Sequence, residues 1–185
     1  MDKIVYIKIW GCSIIPHMKT TPWEVNSKNV SDAYIAGFLD GDGSIVVGIE
    51  KRPDRRRFPF RVRPKISFSQ HSRHRNLLVL IQETLGKVGN IRYIRTHNLC
   101  DLVISKRSDV KATLERLLPH VVLKQRQART MLAMIDVFES GKVNIRSSLS
   151  DKDYEKLFAM AKEIRNMNSG AGGKKSYEIV NPVTT

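Results

Sequence analysis

The chain has 185 residues, of which 41% are hydrophobic, and a formal net charge of +14 from 32 Lys and Arg against 18 Asp and Glu. That apolar content suffices for one packed domain and excludes a wholly disordered chain, while the basic excess points to a polyanionic partner, normally nucleic acid, if the charge is concentrated rather than dispersed. Two distant cysteines, Cys12 and Cys100, argue against a structural zinc site and fit a reducing compartment, and no apolar run of about 18 residues is present to cross a membrane.

Residues 1–30 hold both tryptophans, Trp10 and Trp23, with Pro16 and Pro22, and show no helical period. They read as an N-terminal extension with one short strand near 4–10. Lys8 and Asp2 make it a poor signal peptide, and the lack of Arg makes it a poor transit peptide. Ser31 or Asp32 can cap the helix that follows. That helix, Tyr34-Ile35-Ala36-Gly37-Phe38-Leu39-Asp40-Gly41-Asp42-Gly43-Ser44, changes character midway. Small residues at Ala36 and Gly37 let another backbone approach, and the glycines at its end let the chain turn. Asp42 falls at the negative helix C-terminus, where a carboxylate is unfavourable unless a cation joins it.

Residues 44–50 alternate, with Ile45, Val47 and Ile49 on one face and Ser44, Val46, Gly48 and Glu50 on the other. After a charged turn, residues 60–70 alternate again: Phe60, Val62, Pro64, Ile66 and Phe68 against Arg61, Arg63, Lys65, Ser67 and Ser69. This is the period of a half-buried strand, with Pro64 favouring an edge or a bulge. A helix is predicted over 72–85, ended by Gly86, then short strands at 90–95 and 101–105 around a turn at His97-Asn98. Three helices follow: Ser108 to Leu118, about 121 to 138 with Leu123, Met131, Leu132, Ile135 and Phe138 inward, and one from Ser150 to about Met167 with Asp153 in a capping box. From Ser169 the chain is Gly-rich and polar, a loose tail. The order αββαββααα describes a mixed α+β domain over 31–168. His17, His71, His97 and His120 lack ligand spacing and are expected at the surface. Met131, Met134, Met160 and Met167 read as core.

The charge is concentrated. Residues 51–75 carry Lys51, Arg52, Arg55, Arg56, Arg57, Arg61, Arg63, Lys65, Arg73 and Arg75 against Asp54 alone. This segment reads as a hairpin with one basic face, a shape that fits the major groove, where Arg and Lys read guanine edges. Eleven extended residues span roughly 36 Å, about ten base pairs. Arg92 and Arg95 extend the same surface.

Asp40 and Asp42 are the acids beside the Gly-rich turn. Alone, an Asp-Gly turn ending a helix is common. With a nucleic-acid partner, Asp42 becomes a Mg²⁺ ligand for phosphodiester hydrolysis, since Mg²⁺ takes one or two carboxylates plus phosphates and water. If two copies of the helix pack together, their Asp42 carboxylates converge. At about 4 Å and an effective dielectric near 20 they repel by roughly 4 kcal/mol, which bound cations relieve.

The stretch Tyr34–Ser44 resembles the signature of LAGLIDADG homing endonucleases, and most resembles the compact single-motif enzymes that act as homodimers. The resemblance covers residues 31 to about 165. It includes the element order, the strand end Phe68-Ser69-Gln70, the helix end Leu85-Gly86 and the segment Leu123-Lys124-Gln125-Arg126-Gln127. It implies an αββαββα core with extra C-terminal helices and an antiparallel four-stranded DNA-binding saddle. By the same resemblance, Asp42 is the metal ligand with the Gly41 carbonyl beside it, Gln70 orients water near the scissile phosphate, and Lys124 stabilises phosphate charge or polarises the nucleophilic water. Taken alone, Gln70 is an ordinary strand-end cap and Lys124 an exposed helix lysine.

The implied DNA-facing set joins Ser44, Val46, Gly48, Glu50, Lys51, Arg52, Arg55 and Arg57 to Arg61, Arg63, Lys65, Ser67, Ser69, Arg73, His74, Arg75, Arg92 and Arg95. Tyr34, Ala36, Gly37, Leu39 and Asp40 lie on the helix that the resemblance places at a dimer interface, although Asp40 also reads as structural. His74 departs from the Arg or Lys usual four residues after the Gln, and Arg75 is its substitute. The expected function is a Mg²⁺-dependent, site-specific double-strand DNA endonuclease for intron homing. As a homodimer it would cut a long, nearly palindromic site across the minor groove, leaving short 3′ overhangs. An RNA-binding intron maturase and a catalytically silent DNA-binding regulator are the alternatives. An organellar location is expected, in a chloroplast or mitochondrion, with no membrane partner.

Overall fold

The structure, a computed structural model, describes residues 30–51, 60–140 and 149–168. The 1–30 extension apart from Val30, the turn holding Arg52, Arg55 and Arg57, and the tail from Ser169 lie outside the described residues. Helix α1 (Asp32–Gly41) leads into strands β1 (Gly43–Lys51) and β2 (Phe60–His71). Then come helix α2 (Arg75–Thr84), strands β3 (Asn90–Ile94) and β4 (Leu99–Ile104), and helices α3 (Arg107–Leu117), α4 (Gln125–Ser140) and α5 (Asp151–Met167). The strands form one antiparallel sheet in the order β1-β2-β4-β3. This is the expected αββαββααα arrangement, an α+β fold.

Local chemistry explains most element ends. The Ser31 hydroxyl accepts from the Tyr34 N–H to start α1, and Ser150 with Asp153 completes a reciprocal capping box for α5. Helix α2 stops at Gly86, whose φ of 85° is a region that favours glycine. Residues 72–74 form a 3₁₀ turn before α2 rather than its first turn. Asn98, at φ 51°, closes the β3–β4 connection.

The alternation in β1 and β2 sorts their side chains as expected. Ile45, Val47, Val62, Ile66 and Phe68 are buried with Leu102 and Ile104 of β4. Helical residues Ile35, Ala36, Leu39, Leu78, Ile81, Leu114, Leu117, Met131 and Ile135 close over that face in one core. Met134 is buried with them, and Met160 and Met167 pack at the periphery. Phe38 of α1 stacks on Phe68 of β2, ring centroids 6.0 Å apart.

Pro64 sits within β2 opposite Val47, although β2 lies between two strands. The reason is length: β4 pairs with β2 only from Ile66 onward. At Pro64 β2 is locally an edge, so the missing N–H removes no bond to a second strand. At the far end of the same strand, the Tyr154 hydroxyl of α5 accepts from the Phe60 N–H and donates to the Phe60 carbonyl.

The helix expected from 121 begins only at Gln125. Val121 to Lys124 form a turn, and Leu123, expected inward, is 76% exposed. The cause is a tether to α1 described below.

Arg116 of α3 binds the Asp32 carboxylate at 2.7 and 2.9 Å and donates to the Thr84 carbonyl, joining α1, α2 and α3. The hydrogen bond from Arg116 holds the Asp32 carboxyl below its usual range, against the opposing effect of burial. A depressed carboxyl contributes stability that is complete above its unfolded value and lost as pH falls through its folded value. Asp32→Asn should therefore cost about 0.5–1 kcal/mol near pH 7. In thermal melts, the gap between wild type and variant should close as pH falls through the acid carboxylate range.

Candidate active site and nucleic-acid face

The site begins at the corner between α1 and β1. Asp42 is the C-cap of α1, with its N–H on the Phe38 carbonyl, and its side chain is exposed. The carboxylate has no hydrogen bond or ion pair among the described residues. It stands where the helix dipole is negative, so a bound cation would be favourable there. The sharp turn does not depend on a left-handed glycine here. Gly43 matters for space: a Cβ there would stand 2.7 Å from the Leu39 Cα and 2.9 Å from its carbonyl oxygen. Nothing lies within 4 Å of a Cβ built on Gly41.

The register brings Gln70 to this corner. Gly43 pairs with Phe68, so Gln70 lies two residues further along β2, beside the α1–β1 junction. Its Oε1 accepts from the His71 N–H at 2.9 Å. Lys124 arrives from the turn before α4, and its Nζ donates to the Asp40 carbonyl at 2.5 Å. The register thus sets Gln70, and the bond to Asp40 sets Lys124, near the end of α1 that carries Asp42.

The other acid of the motif is used differently. Asp40 Oδ2 accepts from the N–H groups of Val122 and Leu123 at 2.7 and 3.1 Å, and Oδ1 from that of Lys124 at 2.9 Å. Burial disfavours its charge, but these N–H groups and the Lys124 ammonium hold its carboxyl below the usual range. The Asp40 carboxylate is thus engaged within its own chain. The placement of Ala36 and Leu39 at a dimer interface is corrected, because both are fully buried in the subunit's own core. Gly37 is exposed with open space around it, and Tyr34 is 48% exposed. These two leave α1 a face that a second helix can approach.

The second feature is the face of the sheet opposite the helices. Alternation puts Ser44, Val46, Gly48, Glu50, Arg61, Arg63, Lys65, Ser67 and Ser69 there. Arg92 of β3 joins them, paired with Asp101 of β4. Glu50 binds Arg63 at 2.9 Å. Ser67 is buried, its hydroxyl 2.7 Å from that of Ser44. Lys51 alternates to the opposite side, although it is exposed at the strand end. Arg73, His74 and Arg75 are exposed at the start of α2, with Arg73 Nε donating to His74 Nε2, and Arg95 is exposed in the β3–β4 turn.

Sequence reasoning passed over Asp101. It is an acid on this basic face, with a nearly buried side chain that accepts from Ser69 Oγ at 2.7 Å and pairs with Arg92 at 3.1 Å. Its signal was visible: a lone acid between Cys100 and Leu102 in a strand whose other residues are apolar.

Among the described residues, no cluster of three or more His, Cys, Asp or Glu could hold a metal. Among the described residues, the oxygen donors at the end of α1 include the Asp42 carboxylate and the Gly41 carbonyl. Such a set suits a hard divalent cation that keeps water and takes its remaining ligands from a phosphate substrate.

A family model described as LAGLIDADG endonuclease matches residues 35–120. The DNA endonuclease I-CvuI of Chlorella vulgaris is 33% identical over 103 residues, covering 56% of this chain and 62% of that protein. The DNA endonuclease I-CreI of Chlamydomonas reinhardtii is 30% identical over 112 residues, covering 59% of this chain and 64% of that protein. The chain thus spans about three fifths of these curated relatives. The crystal structure of the homing endonuclease I-CvuI in complex with the I-CreI target and Mg superposes with a TM-score of 0.67 at 26% identity, covering 78% of this chain and 85% of that one. The homing endonuclease I-TnaI shares the fold, with a TM-score of 0.62 at 20% identity over 77% of this chain and 98% of that one.

The close approach at Gly43 yields a direct test. Gly43→Ala should destabilise by about 1–3 kcal/mol, because the obstructing atoms include backbone. Gly41→Ala should be neutral or slightly stabilising. Urea denaturation of both variants measures the contrast.

Proposed function

We propose, on the premise that residues 35–120 make this chain a member of the LAGLIDADG endonuclease family, that it is a site-specific double-strand DNA endonuclease acting as a homodimer with Mg²⁺. The observation that carries this reading is the corner itself. Asp42, with no partner among the described residues, stands at the negative end of a helix, with Gln70 and Lys124 on two elements that adjoin that end, above a sheet whose opposite face is basic.

Asp42 and the Gly41 carbonyl would hold the cation. When bound, it supplies a Lewis acid for phosphate charge and lowers the pKa of coordinated water. The chain's own residues do the rest. Gln70, fixed through its Oε1 on the His71 N–H, keeps its amide N–H groups free to orient a water against the phosphate. Lys124 holds its ammonium on the Asp40 carbonyl, two residues before Asp42, where it would neutralise charge that builds on the phosphate oxygens. The basic face holds the duplex. Arg61, Lys65 and Arg92 are suited to base edges and phosphates, while Glu50 and Asp101 fix the direction of Arg63 and Arg92.

One corner cuts one strand, so cutting both requires two chains related by a two-fold axis. Tyr34 and Gly37 offer the helical face for that contact. The relatives support a DNA substrate: I-CvuI and I-CreI are named as DNA endonucleases, and I-CvuI is seen on DNA with Mg and with Ca.

The test needs a substrate, obtained by selecting cleavable sites from a randomised DNA library with Mg²⁺ present. On that site Asp42→Asn should lower the cleavage rate by at least about a thousandfold, as expected when a metal-binding group is removed, while binding it within about threefold of wild type. Chelation with EDTA should stop cutting by wild type. An Asp42→Asn variant that cuts at the wild-type rate, or a wild-type chain that stays monomeric on DNA in sedimentation, would sink the reading. Tight binding to intron RNA without any DNA cleavage would favour the maturase alternative.

A further inference from the structure

Asp40 makes four hydrogen bonds to a three-residue segment more than eighty positions away. Its carboxylate accepts from the backbone N–H groups of Val122, Leu123 and Lys124, and its carbonyl accepts from the Lys124 ammonium. Both carboxylate oxygens accept hydrogen bonds, whereas the Asp42 carboxylate accepts none among the described residues. The segment it grips has little else to hold it. Val122 and Leu123 are 78% and 76% exposed, so their side chains do not anchor the turn in the subunit. The first helical bond of α4, from the Ala128 N–H to the Lys124 carbonyl, starts at this same point. The carboxylate therefore stands at the positive end of α4, where a negative charge is favourable.

We propose that Asp40 is the positioning residue for Lys124, a strap from the motif helix that fixes both the backbone and the ammonium of this lysine relative to Asp42. The proposal rests on the nuclease reading for what Lys124 does, but the strap itself is a property of the fold. A lysine side chain is long and flexible, and holding it at one orientation is costly in entropy. A grip at two points, backbone N–H and terminal ammonium, restricts it. Because both acceptors, the Asp40 carboxylate and carbonyl, lie on the residue two positions before Asp42, any shift of the motif helix carries the Asp42 carboxylate and the Lys124 ammonium together.

The test uses the full chain on its selected DNA site. Single-turnover cleavage with Mg²⁺ is compared for wild type, Asp40→Asn, Lys124→Met and the double variant, and affinity is measured with Ca²⁺ in place of Mg²⁺. Asp40→Asn should slow cleavage about 10- to 100-fold, within the range a positioned acid–base group contributes, while changing affinity less than about twofold. On the Lys124→Met background, the same substitution should add less than about twofold, since its effect passes through the lysine. Losses that multiply in the double variant, or an unchanged rate in Asp40→Asn, overturn the proposal.

Amide hydrogen exchange gives a readout independent of cutting. Residues 122–124 should exchange faster in Asp40→Asn, while the amides of β2 keep their protection. Unchanged exchange at 122–124 overturns the strap, and loss of protection throughout shows a role in folding instead, which also overturns it. A wild-type chain that cuts no DNA site sinks the nuclease reading and the catalytic half of the proposal together. An unchanged wild-type activity profile in Asp40→Asn sinks this proposal alone.

Discussion

At Gly43 the backbone of β1 passes so close to Leu39 that no side chain fits between them. Everything at the site follows from that contact. It lets the chain leave α1 and enter the sheet within two residues, so Asp42 is fixed by a helix on one side and a strand on the other. The strand then pairs Gly43 with Phe68, and this sets where β2 ends and Gln70 stands. The helix packs Ile35, Ala36 and Leu39 into the core, and its last turn offers Asp40 to the segment before α4. A looser corner would leave the same residues in the chain, but not in the same place.

The sheet separates two tasks by face. One side holds the hydrophobic core against the helices. The other is basic but not uniformly so, since Glu50 and Asp101 pair with Arg63 and Arg92. A face of unopposed arginines would attract any duplex, and the ion pairs limit the ways in which two of them can point. In partly exposed positions such pairs contribute little to folding stability. Their effect lies in direction: a guanidinium held by a carboxylate presents its remaining N–H groups along fixed lines.

The sequence made the regular parts legible because each had a local cause. Alternation revealed β1 and β2 and sorted their faces, and the capping box of Ser150 and Asp153 marked the start of α5. The acid at Asp42 stood out by its place after a helix rich in small residues. What escaped depended on contacts between distant segments. Nothing near Leu123 indicates that its backbone is held by Asp40, so the apolar pattern extended α4 four residues too early. Ala36 and Gly37 look alike as small residues, but packing gives one to the core and leaves the other exposed. Pro64 suggested an edge, and the structure makes it one locally, because β4 is shorter than β2. The role of Asp101 depended on register, since only the pairing of β2, β4 and β3 shows that Ser69 and Arg92 flank it.

The triad of Ser69, Asp101 and Arg92 carries a consequence for how such a protein could change over generations. Positions such as Arg61 and Lys65 have no such tie among the described residues, and each can vary alone without disturbing the core on the other face. Substitutions at the triad are epistatic: losing Asp101 releases Arg92 and leaves the Ser69 hydroxyl without its acceptor, so three inherited choices move as one. A lineage would thus explore positions such as Arg61 and Lys65 one residue at a time, but change the triad that crosses β2, β4 and β3 only by coordinated steps.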